Sequence, residues 1–147
     1  MKKLPEVEEA KALLNVAKDW SIWRWLTEKR RVRGIADRGT AALDRADEAL
    51  KASWPDNLRV AYNALVSGRK PRTAVSEPVR AAAARVKEAD DEAYAARMDA
   101  ENTFEEAERH LSAGLAREGA RKAIEAYDLR ERALRKSEAA IRASAKA

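Results

Sequence analysis

His110 is the one side chain whose ordinary pKa lies close enough to neutrality for it to carry protons there, and it stands alone. A single histidine cannot build a zinc or haem site, and a carboxylate-bridged di-iron centre would need Glu-x-x-His twice. Residue 107 is alanine, so even one copy of that motif fails. Cysteine is absent, which removes thiol chemistry and disulfide stapling and fits a reducing compartment. All five glycines are isolated, so no loop can cradle a phosphate through consecutive backbone N–H groups. Glu88, Asp90, Asp91, Glu92, Asp99, Glu101, Glu105, Glu106 and Glu108 come in runs, the ordinary pattern for the solvated side of a long helix. Acid–base catalysis would instead need a desolvated carboxylate, and covalent catalysis a nucleophile beside an oriented base. Neither is readable, so the expectation is a protein that is not an enzyme, with no catalytic residue, cofactor or metal.

The more suggestive chemistry is aromatic and basic. Trp20, Trp23 and Trp25 lie among Lys18, Arg24, Lys29, Arg30, Arg31 and Arg33, an interleaving that suits nucleic acid or an anionic membrane surface. Trp20 and Trp23 also extend the helical spacing of Leu13 and Val16 towards Thr27, which predicts that both are core anchors. Trp25 projects about 140° away from Trp20, on a second apolar face with Ile22, Val32 and Ala36. That second face is the expected interaction surface, to be met by the short second helix, the C-terminal helix or another subunit. The net charge of +5 is interspersed with acids rather than gathered into a stripe. If an anionic partner is met, Arg69, Lys70 and Arg72 in a loop, with Arg130, Arg135 and Lys136 in the C-terminal segment, are the candidate contacts.

The elements that must carry these residues follow from composition and spacing. A chain of 147 residues has room for one domain, 1–147, and an alphabet dominated by Ala, Glu, Lys, Leu and Arg marks long helices. Pro5 followed by Glu6, Glu8 and Glu9 suits a helix start. With only Gly34 and Gly39 to weaken it, the first helix is expected over 5–53. Asp56 can cap a short connector helix, 56–67, closed by Gly68. Ser76-Glu77-Pro78 opens a third helix, 77–112, whose heptad seam is almost all small, from Val79 and Ala82 to Ala107 and His110. Gly114 and Gly119 predict a break or kink before a last helix at 118–144, and the last two helices could be continuous. Ala123-Ile124-Glu125-Ala126-Tyr127 resembles the second helix of a tetratricopeptide repeat, but in one copy where stacking needs about three.

The first helix is basic in its middle and bulky at Trp20 and Trp23; the third is acidic and small. An antiparallel hairpin that sets residue i of the first helix opposite about 130 − i of the third matches both features, placing Arg31 near Asp99 and Trp23 near Ala107. The expected fold class is therefore all-α: a long antiparallel hairpin, or coiled-coil-like bundle, of three to four helices with one short connector. Charges at Glu6, Glu8, Glu9 and Lys11 stand where a signal peptide would be apolar, and no run approaches a bilayer-spanning length. The functional expectation is a cytoplasmic, non-enzymatic helical interaction or scaffold protein that self-associates or binds a helical partner. The alternative is a weak nucleic-acid or anionic-surface binder using the C-terminal helix and the 69–72 loop.

Overall fold

In the computed structural model, which describes residues 2–146, five helices account for 84% of the described residues, among which no strand occurs. They are α1 (Pro5–Ala17), α2 (Ile22–Ala52), α3 (Asp56–Ser67), α4 (Glu77–Arg109) and α5 (Ala113–Ala145). The all-α class holds, whereas the single helix expected over 5–53 is two. After Ala17 the chain turns, with the Asp19 and Trp20 N–H groups donating to the carbonyls of Val16 and Ala17 at 3.2 and 3.0 Å. Ser21 then starts α2 as an N-cap, its Oγ accepting from the Arg24 N–H at 3.3 Å.

The break lets α1 fold back antiparallel on α2. Ala10 lies against Gly39, and Glu6 comes within 4.0 Å of Arg45. Gly39 is what permits this approach, since a Cβ there would sit 3.1 Å from the Ala10 Cβ and 3.3 Å from the Glu6 carbonyl oxygen. Further along, α3 begins after Pro55 with Asp56 as its first residue and no side-chain cap, and ends on Gly68 at a φ of +69°. The break expected at Gly114 and Gly119 lies earlier, at His110–Ser112. The Ser112 Oγ accepts from the Leu115 N–H at 3.2 Å, and both glycines fall inside α5.

Packing centres on α5. It runs antiparallel to α4 along its length, with Lys122 bonded to Asp99 at 2.8 Å and Lys136 to Glu88 at 3.3 Å. The alanine seam of α4 therefore faces not the bulky first helix but a second small surface, Ala116, Ala120, Ala123, Ala133 and Ala140. Small against small brings helices close together, and bulk is supplied by the helices laid across the pair. α2 lies alongside α5, where the Tyr127 hydroxyl donates to the Ala36 carbonyl at 2.5 Å and Arg130 pairs with Asp44 at 2.6 Å. α1 reaches α5 through Lys11, 2.8 Å from Glu131 and 3.1 Å from Asp128. One apolar cluster joins α1, α2 and the first half of α5 around Leu14, Val32 and Leu43; a smaller one joins α3, the start of α4 and Ala140 around Leu58, Val79 and Val86.

α2 and α4 are antiparallel, but in another register. Arg33 meets Glu108 at 3.4 Å, Asp44 meets Arg97 at 3.5 Å and Lys51 meets Asp90 at 3.9 Å, and in each pair the residue numbers total 141. This is a slip of about eleven residues, or three turns, from the expected total of 130. The cause is α3, which is not an outlying connector. It packs on the first turns of α4, where Ala61 and Leu65 line a groove with Arg80 and Ala83, so the chain reverses between α3 and α4. Arg31 accordingly pairs with Glu28 of its own helix, and Asp99 with Lys122.

Candidate interaction surface

The cap at Ser21 resets the helical phase. Trp25, Val32, Ile35, Ala36, Gly39 and Leu43 turn inward on α2, and Trp25 is only 4% exposed. Trp25 packs edge-on to Trp20 at 5.6 Å, and Trp25 and Val32 line a small pocket with Phe104 and Ala107 of α4, Leu111 of the α4–α5 connection and Ala116 of α5. The face expected to await a partner is thus covered within the chain: Trp25, Val32 and Ala36 are buried and Ile22 is half-buried. Trp23, expected as a core anchor over Ala107, is 76% exposed.

Leu26 is exposed beside Trp23, as is Val16 at the end of α1. The surroundings are basic. Arg24 and Arg31 bracket Glu28 at 2.8 and 2.9 Å and hold its carboxyl below the usual carboxylate range, the Arg24 hydrogen bond contributing most. Lys29 and Arg30 are exposed and form no ion pair with another described residue. On α4 the exposed apolar side chains are Tyr94 and Met98, followed by the exposed carboxylates Glu101 and Glu105. Glu101 lines the cleft between α2 and α4 with Arg33 and Asp37, and Tyr94 lines its continuation with Asp44 and Asp47.

The floor of that cleft is a polar layer. Asp44 holds Arg130 and Arg97, Lys51 lies 3.2 Å from Asp47 and 3.9 Å from Asp90, and the Tyr62 hydroxyl donates to Asp90 at 3.0 Å. Burial pushes the Asp90 carboxyl above its ordinary range, and burial with the Asp90 charge pushes Tyr62 up to about 12. Burial alone would lower the Lys11 ammonium, but the Glu131 and Asp128 carboxylates together outweigh it and hold the pKa above the ordinary lysine value. Asp44, Asp90 and Lys11 each meet an opposite charge on another helix, an arrangement that ties helices together. His110 ends α4, exposed, 4.0 Å from Glu106, rather than filling a seam. No cluster of His, Cys, Asp and Glu suited to a metal occurs among the described residues.

The six candidate anionic contacts are not brought together. Arg69, Lys70 and Arg72 are exposed in the α3–α4 loop and Arg135 is exposed on α5, but Arg130 is committed to Asp44 and Lys136 to Glu88 and Glu92. No helix of the described residues is long and apolar enough to cross a membrane. Comparison with family models, with curated proteins and with solved structures finds no match to the chain.

Proposed function

We propose that the chain is a non-enzymatic helical docking protein that offers the outer side of α2, with the adjoining rim of α4, to another protein helix. The observation that carries this reading is Trp23. Trp20 and Trp25 are buried and Trp54 is half-buried, while Trp23 stands 76% exposed next to Leu26 on α2. A tryptophan is a typical hot-spot residue, because its large rigid area is buried on binding at small conformational cost. The unpaired Lys29 and Arg30 beside it favour a partner helix that carries acidic residues around an apolar stripe.

Site-specific photo-crosslinking tests this. A benzophenone side chain at position 23 should give discrete protein adducts in the native host, and the same group at exposed Arg132 on α5 should not. Adducts that are equal at both positions, or that form only with nucleic acid and vanish as salt is raised, would overturn the reading.

A further inference from the structure

We infer that the partner is a long helix seated along the groove between α2 and α4, with acidic residues on its α2 flank and basic residues on its α4 flank. The inference rests on the docking reading and gives the partner its seat, length and charge pattern. The groove is built into the fold. No Cα of α2 lies within 8 Å of one of α4, because α2 packs on α1 and α5 while α4 packs on α3 and α5. Only side chains cross the gap, as Arg33 to Glu108 at 3.4 Å and Asp44 to Arg97 at 3.5 Å, and these pairs form its floor.

Helical phase places the exposed side chains on the two walls above that floor. Each step of three residues back along a helix turns by about 60° in one sense. On α2 such steps lead from Ala36, which meets Tyr127 of α5, through Arg33, which meets α4, to the exposed Arg30. On α4 they lead from Ala107, beside Ala116 of α5, through Phe104 and the gap-lining Glu101 to the exposed Met98. Because α2 and α4 are antiparallel, the same sense of turn carries both series to the one side of the molecule, opposite α5. Trp23 shares the Arg30 strip, seven residues before it, and Tyr94 the Glu101 strip, seven before it.

By the register of the α2–α4 ion pairs, Tyr94 is level with residue 47 of α2, so Trp23 and Tyr94 stand at the two ends of the groove, about 36 Å apart. Between them Lys29 and Arg30 are exposed on one wall, Glu101 and Glu105 on the other, and none of the four forms an ion pair with another described residue. A helix of about 24 residues spans both apolar ends. If it were charged alike on both flanks it would meet one wall of its own sign, so the complementary occupant carries acids towards Lys29 and Arg30 and bases towards Glu101 and Glu105.

Three designed helical peptides of about 28 residues, or about 42 Å, serve as probes, each with one leucine stripe. The first has glutamate on one flank and lysine on the other, the second glutamate on both, the third lysine on both. Anisotropy titrations with the full chain should show the mixed probe binding at least about tenfold more tightly than the other two. Trp23→Ala and Tyr94→Ala should each weaken the mixed probe about tenfold or more while the circular dichroism stays unchanged. Lys29→Glu with Arg30→Glu makes both walls acidic and should turn the preference to the all-lysine probe; Glu101→Lys with Glu105→Lys should turn it to the all-glutamate probe. A mixed probe that fails to bind at about 100 micromolar, equal affinity for all three, a loss at Trp23→Ala with none at Tyr94→Ala, or a preference unmoved by the charge reversals would each overturn the inference. So would a chain that sediments as a dimer until Trp23 is replaced, which would put a second copy on this face. If the probes fail while position 23 still gives protein adducts in the native host, the groove is the wrong seat and the docking reading stands.

Discussion

Four tryptophans on one chain are separated by their phase on a helix, and stability should report the separation. Trp25 is buried against Trp20 and Phe104, so Trp25→Ala should cost about 3–5 kcal/mol. In dilute solution Trp23→Ala should cost less than about 0.5 kcal/mol, as a surface substitution does. Urea denaturation checks both, and equal costs would mean that α2 is rotated. Spacing alone suggests the reverse, because Leu13, Val16, Trp20 and Trp23 share one stripe only on an unbroken helix. Yet the apolar face of α2 was itself visible, as Trp25, Val32 and Ala36; what spacing could not tell is that the chain covers it. A second residue-scale effect concerns Tyr62. Its folded-state pKa of about 12 exceeds the ordinary 10, so the stability linked to it is whole below pH 10 and is lost as pH rises from 10 to about 12. Tyr62→Phe keeps the ring against Trp54 and should flatten that alkaline loss in a pH series of melts.

At the scale of elements, the starts of α1 and α4 and the end of α3 were legible because proline, acidic first turns and a left-handed glycine each act locally. The break at Lys18–Ser21 was not, and the one expected at Gly114 and Gly119 lies a few residues earlier at His110–Ser112, since neither segment contains proline or glycine. Serine caps alone mark them, and Arg24 stands where a capping box would carry Glu. Gly114 and Gly119 conversely do not break the chain but fall inside α5. Gly34 has nothing within 4 Å of a notional Cβ, so Gly34→Ala should stabilise α2 by roughly 1 kcal/mol through helix propensity. Gly39→Ala gains the same propensity but drives a methyl to 3.1 Å from Ala10 and from the Tyr127 hydroxyl, which donates to Ala36. The overpacking should outweigh the gain, for a net loss of about 1–2 kcal/mol. Thermal melts that shift in the same direction for both variants would refute the close α1–α2 crossing.

For the molecule as a whole, charge complementarity correctly implied that α2 and α4 are antiparallel, because opposite charges on two long helices retain their order whatever the register. Register itself depended on where the chain reverses, and the sequence could not show that α3 would stack on α4 instead of standing aside. That stacking leaves two apolar clusters joined by α4 and α5, with the polar layer of Asp44, Lys51, Asp90, Arg97 and Arg130 between them. The smaller cluster consists mainly of Leu58, Ala61, Val79, Ala82, Ala83, Val86 and Ala140, and α3, with Trp54 and Val75 in the connections on either side of it, is the contribution from outside α4 and α5. An interface of ion pairs transmits less cooperativity than continuous apolar packing, because water can replace each pair when the helices part. α3 should therefore open with the first turns of α4 while α1, α2 and the middle of α5 remain folded. Native-state hydrogen exchange should show amides of residues 60–67 exchanging at least about tenfold faster than those of 120–134, with a denaturant dependence smaller than that of global unfolding. Exchange that is uniform across both segments, with the full denaturant dependence, would mean that the polar layer couples the clusters as tightly as a core does.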